Sequence, residues 1–159
     1  MDPLTLVFLL RLGAAMLCGV ILGTERILAN KTAGMRTYAL VSLGSALFVI
    51  ISQYVSAQAI GMSNFDPLRM ASQVIVGIGF LGAGLIMVKD NHMTGITTAA
   101  GIWVAAGIGI ACGFGLFQLA LISTFFTLFI FIVLFRIENK YVRKLPVYPR
   151  TNHSDEIEE

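Results

Sequence analysis

Apolar residues gather into five long runs, and most of the charged residues lie between those runs. A helix that crosses a bilayer needs roughly 20 mostly apolar residues, which is about the length of each run. Lipid cannot satisfy open backbone groups, and the runs are too long for the strands of a barrel, so helices are the assignment we make. The pattern predicts an all-α membrane protein, with residues 1–135 forming a compact bundle of five transmembrane helices at about 4–24, 37–55, 68–88, 96–113 and 115–135.

Two parts of this assignment allow a second interpretation. The run at 4–24 resembles a signal peptide in position, but no Lys or Arg precedes it and Arg11 interrupts it, so we favour a retained helix. The link between the fourth and fifth runs is very short. It predicts a tight antiparallel hairpin, with one long bent helix as the alternative.

Composition agrees with a membrane protein and argues against an enzyme. Hydrophobic residues make up 57% of the chain and charged residues 13%, against about 45–50% and about 25% in soluble domains. The sequence shows neither a nucleophile with a partner His and acid nor a metal-ligand cluster. We therefore expect no enzyme activity, no cofactor, no metal site and no nucleic-acid partner.

The basic residues indicate how the helices are oriented in the membrane. Of the 11 Lys and Arg residues, nine fall in the first loop, the third loop and the tail, which five spans place on one side. Arg69 lies on the other side, and Arg11 lies within the first span. Because positive loops stay in the cytoplasm, we predict the N-terminus outside and the C-terminus cytoplasmic, with residues 136–159 as a basic and then acidic tail that is partly disordered.

Small residues recur at helical spacing in three of the predicted helices. Gly77, Gly79 and Gly82 also spell the G-x-G-x-x-G of a dinucleotide-binding turn, but no strand–turn–helix unit surrounds them. We expect them to serve close packing instead, since small residues hold helices together in lipid. Helices 1, 3 and 4 are predicted to form the core, helix 5 to face lipid, and the chain to form a homodimer. Helix 3 broken at its glycines is the alternative. The packing glycines are Gly19, Gly23, Gly77, Gly79, Gly82, Gly84, Gly101 and Gly109.

A polar cluster is predicted near the outer ends of helices 1 and 3. Asp66, Arg69 and Gln73 share one face as helix 3 begins, and Arg11 lies about two turns into helix 1. An ionisable group inside a span is a functional hypothesis by default. We expect the four residues to form one connected site, although Arg11 could instead extend to the interface and Asp66 could serve only as a helix cap.

Three charged residues flank the first loop, and two cysteines lie within spans. Glu25, Arg26 and Arg36 could form a salt-bridged inner clamp or a simple positive anchor. We place Cys18 toward the inner half of helix 1 and Cys112 near the outer end of helix 4, so a disulfide between them is not expected.

Several of these segments together resemble the MgtC/SapB family of bacterial membrane proteins. The resemblance covers roughly residues 10–115 and rests on five stretches: "GTER" (23–26), "AGMRT" (33–37), "LVSLGSALF" (40–48), "DPLRMASQVIVGIGFLGAG" (66–84) and "GITTAAGIW" (95–103).

This resemblance implies a multi-pass protein of the bacterial inner membrane that serves adaptation to low magnesium, acid or life inside host cells. It adds weight to Glu25, Asp66 and Arg69, which match motif positions of the family, and to Cys112 as a possible functional thiol. Virulence members of the family continue into a soluble C-terminal domain, whereas this chain ends soon after its fifth predicted helix. Any function that depends on such a domain is therefore in question here.

Two functions remain open from the sequence. The first is a regulator that lies in the lipid bilayer and binds another membrane protein complex; the resemblance implies such a role, with the proton-driven ATP synthase among the known targets. The second is a small transporter or channel that uses the outer polar cluster. The shortage of acids within the spans argues against a dedicated Mg²⁺ path, because Mg²⁺ prefers carboxylate oxygens.

The predicted orientation has a direct test in accessibility labelling of single-cysteine probes. A probe at Asn30 should be protected from outside reagents, because the first loop carries the basic residues. A probe at Met62, in the second loop, should react with them. The reverse labelling pattern would overturn the orientation.

Overall fold

Five apolar helices form the structure, a computed structural model that describes residues 2–58, 66–89 and 92–142. The first four helices and the continuous helical segment Phe117–Ile137 are each long and apolar enough to cross a membrane, which confirms the predicted all-α bundle of five transmembrane helices. Their orientation in the membrane stays a prediction. The helices are Pro3–Leu28 (α1), Met35–Gln58 (α2), Pro67–Leu85 (α3), Ile96–Gly113 (α4) and Phe117–Phe129 (α5).

The fifth helix continues beyond α5. A π-helical segment, Ile130–Leu134, is followed by a short helix at Phe135–Ile137 (α6) and a second π-helical segment, Glu138–Val142. The start of the predicted tail at 136–159 is therefore helical, and residues 143–159 lie outside the described residues.

Helix α2 packs against α1, α3 and α4, while α4, the most buried of the five spans, packs against α1, α2, α3 and α5. On the α1 side, a Cβ atom added to Gly19 would lie 2.6 Å from the Tyr38 carbonyl oxygen. On the α4 side, a Cβ atom added to Gly109 would lie 2.1 Å from the Ser42 carbonyl oxygen. Only glycine permits such approaches between backbones. The core is thus formed around α1, α2 and α4, which corrects the predicted set of helices 1, 3 and 4.

Helix α3 lies at the edge of the bundle and is continuous over its whole length. A Cβ atom added to Gly77, Gly79 or Gly84 would meet nothing within 4 Å, whereas one on Gly82 would lie 3.7 Å from the Ala99 Cβ atom. The predicted close packing at Gly77, Gly79 and Gly84 is therefore wrong within this chain. Glycines therefore face several directions around α3. Of these four glycines, only Gly82 has an atom of a neighbouring helix within 4 Å of an added Cβ atom.

Helices α4 and α5 form the short hairpin that the sequence predicted, rather than one long bent helix. Gly115 takes a positive φ of 79° in the turn between them, a conformation that side chains other than glycine's seldom adopt. Most of α5 faces outward, with Phe125 66% exposed. Its other face is buried through Ala120, Thr124 and Thr127, and Phe131 beyond it is 6% exposed, so the expectation that helix 5 only faces lipid is too simple.

A short antiparallel β-hairpin joins α3 to α4, where the sequence predicted helix up to residue 88. Its strands are Met87–Lys89 (β1) and His92–Thr94 (β2), and Val88 pairs with Met93. Gly95 follows with φ 84°, and a Cβ atom there would lie 2.0 Å from the Leu85 carbonyl oxygen. The chain can therefore turn back into α4 against the end of α3 only because position 95 is glycine.

Replacing a glycine at the α2–α4 contact should destabilise the protein, whereas an exposed glycine on the same helix should tolerate the same change. Gly109→Leu places a side chain against the Ser42 backbone, and overpacking of this kind costs roughly 1–3 kcal/mol or more. Gly107→Leu is the matched control, because nothing lies within 4 Å of its added Cβ atom. Thermal melting in detergent measures both variants. Equal melting temperatures would contradict the assigned contact.

Candidate functional site

The N-terminal end of α3 begins with Asp66 and Pro67. The Asp66 backbone is extended, and its side-chain Oδ1 accepts a hydrogen bond of 2.9 Å from the Leu68 backbone N–H. Pro at the first helical position needs no hydrogen-bond partner for its nitrogen. This cap satisfies one of the free N–H groups at the helix start, so the structure gives Asp66 a capping role.

Arg11 has partners other than the predicted Asp66. Its guanidinium Nη1 donates to the Gln53 Oε1 at 2.6 Å and to the Gly113 carbonyl oxygen at 2.9 Å. Gly113 is the last residue of α4, where carbonyl groups lack partners inside the helix and a positive charge is favourable. Arg11 is half-buried, so it ties α1 to α2 and α4 rather than extending freely to the interface.

The predicted connected site of four residues is therefore not assembled by Arg11. Asp66, Arg69 and Gln73 lie along the exposed start of α3, and the described residues form no ion pair between Arg11 and Asp66. Gln73 lines a groove between α2 and α3. A functional role for the three α3 residues stays a prediction. The sequence-based prediction missed Gln53 as the partner of Arg11. The signal that could have indicated it is an amide side chain near the end of the second apolar run.

At the opposite end of the core, Arg26 is buried and paired. Its guanidinium forms an ion pair with Glu25, and its Cζ atom lies 3.6 Å from the centre of the Phe131 ring. Only 3% of Arg26 is exposed, so both contacts offset the cost of burying its charge. Arg36 is exposed at the start of α2. The structure thus joins two members of the predicted inner cluster, Glu25 and Arg26.

The Arg26 contact extends into a layer that connects four helical segments. A Cβ atom added to Gly101 of α4 would lie 2.3 Å from the Tyr38 hydroxyl oxygen and 2.7 Å from the Phe131 ring. The Tyr38 hydroxyl in turn donates to the Thr98 carbonyl oxygen at 3.5 Å. Phe131 lies in the π-helical segment that follows α5, and such segments are rare and occur frequently at functional sites. Its place in a strongly apolar run gave no sign of this role.

Cys18 and Cys112 are brought together in the core, contrary to the prediction that they lie at different depths. Both thiols are free and buried, and the two residues belong to the same cluster of buried core residues. Helix α4 has 18 residues against 26 in α1, so its end lies deeper in the bundle than the sequence position suggests. The long Arg11 side chain spans the remaining distance to Gly113.

Among residues 2–58, 66–89 and 92–142, no group of three or more His, Cys, Asp or Glu side chains could hold a metal ion. The polar contacts of the core are instead those of Arg11 at one end and Arg26 at the other. Hydroxyl and thiol groups lie between these two arginines.

The family relationship now follows from comparison with known proteins. The MgtC family model matches residues 12–140. The chain is 43% identical over 144 residues to "Putative magnesium transporter YhiD" of Escherichia coli K12, covering 86% of this chain and 66% of that protein. It is 45% identical over 130 residues to "Protein SrpB" of Synechococcus elongatus, covering 74% of this chain and 69% of that one.

A third relative shares a shorter part of its length. "Protein MgtC" of Salmonella typhimurium is 43% identical over 93 residues, which cover 58% of this chain but 37% of that protein. The chain thus spans only part of the length of the curated relatives it matches. No solved structure matches it. The family match and the five apolar helices together show that the chain belongs to the MgtC family of multi-pass inner-membrane proteins.

Proposed function

We propose that this protein serves adaptation to stress, such as low magnesium or acid, by binding another membrane protein rather than by conducting an ion through its own bundle. The observation that carries this proposal is the close contact across the core. Gly109 of α4 lies against the Ser42 backbone, and Gly19 of α1 lies against the Tyr38 backbone. Helix α2 is therefore closely packed on both of these sides. A water-filled path would require these contacts to open.

The placement of the acids supports the same proposal. Glu25 already forms an ion pair with Arg26, and Asp66 already accepts the hydrogen bond that caps α3. Mg²⁺ is bound mainly through oxygen ligands and keeps several of its waters, so a path for it needs carboxylates and room. The described core offers it neither a free carboxylate nor an open space between α1, α2 and α4.

Helix α3 provides the surface that we assign to the partner. Val76, Gly79, Phe80 and Ala83 follow the i, i+3, i+4, i+7 spacing of one helix face, and Phe80 is 83% exposed. Nothing lies within 4 Å of a Cβ atom added at Gly79, so a partner's backbone could approach closely there. Because lipid supplies no hydrophobic drive between helices, such an approach favours one transmembrane helix of the partner.

Transport of an ion or small solute is the second candidate, and two observations favour it. The Escherichia coli relative carries the name of a putative magnesium transporter. In addition, the Ser42 side-chain oxygen is buried and has no hydrogen-bond partner within the described part of the chain. A rearrangement that opened the α2–α4 contact would expose this hydroxyl to a path between Arg26 and Arg11.

A flux assay distinguishes the two candidates. Purified protein in liposomes should carry no more Mg²⁺ than protein-free liposomes, because the contacts across the core leave no path. The measurement is the signal of an internal Mg²⁺ indicator after an outside pulse. Saturable flux that is lost in Gly109→Leu would favour transport and contradict the regulatory proposal.

The partner surface is tested by growth at low magnesium in a strain that depends on this protein. Gly79→Leu should abolish growth support while leaving expression and melting unchanged, because it fills the smooth face without touching the rest of the chain. Gly107→Leu, on the exposed side of α4, is the matched control and should support growth. A photo-crosslinker at Phe80 should then capture one membrane protein that a crosslinker at Phe125 does not. Capture of a second copy would show that α3 forms a homodimer.

Normal growth with Gly79→Leu would remove α3 from the functional surface. It would leave the close contacts across the core unchanged, so the flux assay would still decide between binding and transport.

A further inference from the structure

A groove lies between α2 and α3 and is not explained by the contacts described above. Its volume is about 490 Å³, within the range of roughly 300–1,000 Å³ that is typical of small-molecule sites. Gly44 of α2 and Gly77 of α3 contribute to its walls, and neither has an atom within 4 Å of an added Cβ. The two glycines thus leave a depression where the two helices face each other.

The shape of the groove suits an extended hydrocarbon chain. Met70 and Leu81, which line it, are 11 positions apart on α3, or about 16 Å at 1.5 Å per residue. Nearly all of its lining side chains are apolar. A long depression with apolar walls can hold an acyl chain along its length.

The groove has an amide in its wall near the start of α3, and a positive charge lies just beyond that amide on the same helix. Gln73 lines the groove, and Arg69 lies one helical turn before it on the same side of α3. Arg69 is exposed, and no described residue forms an ion pair with its guanidinium. Arginine binds phosphate groups well, through paired N–H donors. A negatively charged phosphate at this end would complement Arg69.

We propose that this groove binds one anionic phospholipid, with an acyl chain between α2 and α3 and the headgroup phosphate at Arg69. The apolar walls and the length of the groove match the acyl chain, and the charge of Arg69 beside its end matches the phosphate. The affinity comes from close contact on both sides of the chain together with the charged hydrogen bond, because lipid itself supplies no hydrophobic drive. This proposal does not depend on the regulatory role, since Gly77 lies on a different side of α3 from Gly79.

Native mass spectrometry of the delipidated full chain tests the site. After incubation with phosphatidylglycerol, the wild-type protein should retain one lipid per chain, and with phosphatidylcholine it should retain much less. Gly77→Leu and Gly44→Leu fill the groove and should lower phosphatidylglycerol retention to the phosphatidylcholine level. Arg69→Gln should remove the preference between the two lipids, because only the charged contact is lost.

The control variants are Gly79→Leu on α3 and Gly107→Leu on α4, which place the same side chain in equally open space outside the groove. Both should retain phosphatidylglycerol as the wild type does. Equal phosphatidylglycerol retention in Gly77→Leu and Gly79→Leu would overturn the site. A change of oligomeric state in Gly77→Leu without loss of lipid would also overturn it, because the groove would then be a contact with a second copy. The two proposals can fail independently. If Gly79→Leu fails to support growth but retains lipid normally, the partner surface is affected and the groove is not.

Discussion

The contact between the α4 backbone at Gly109 and the α2 backbone at Ser42 is the constraint on which the rest of the structure depends. Helices in lipid are not driven together by the hydrophobic effect, so they associate where small residues allow their backbones to meet. Gly109 removes the side chain that would separate α2 from α4, and Gly19 does the same between α2 and α1. With α2 held on both sides, α1 and α4 come within reach of each other, and α3 is left to pack at the edge.

The two arginines of the core follow from that arrangement. Neither end of the bundle can bury a guanidinium without partners, because an unpaired charge in a low-dielectric environment is costly. Arg11 donates a hydrogen bond to a carbonyl group at the C-terminal end of α4. That end therefore lies within reach of the Arg11 side chain on α1. Arg26 pairs with Glu25 and lies over the ring of Phe131, which belongs to the π-helical segment after α5. Each charge therefore fixes the relative position of helices that the glycines had already brought close.

The sequence was sufficient for the number of helices, the family and the α4–α5 hairpin, because apolar length, the shared motifs and the short link each have a direct physical meaning. It was not sufficient for the partners of those helices. The glycine periodicity of Gly77, Gly79 and Gly84 looks the same as that of Gly101 and Gly109, yet only the second set lies against another helix within the chain. Periodicity gives the face of a helix but not its neighbour. The partner of Arg11 was missed for the same reason, since depth along one helix does not say which carbonyl or amide lies beside it.

The open glycines of α3 leave two different surfaces on one helix. Glycine in a helix interior costs roughly 1 kcal/mol relative to alanine in water-soluble hosts, and at Gly19 and Gly109 close backbone contacts offset that cost. At Gly77, Gly79 and Gly84 no such contact exists within the described chain, as is also the case at Gly107 of α4. An open glycine therefore does not by itself require a partner, but the two sides of α3 differ in what they can accept. The Gly77 side is an apolar groove with a positive charge beside its end, which suits a lipid. The Gly79 side is a smooth, open face, which suits a helix. With both proposals taken together, one helix would hold a lipid on one side and meet a partner on the other.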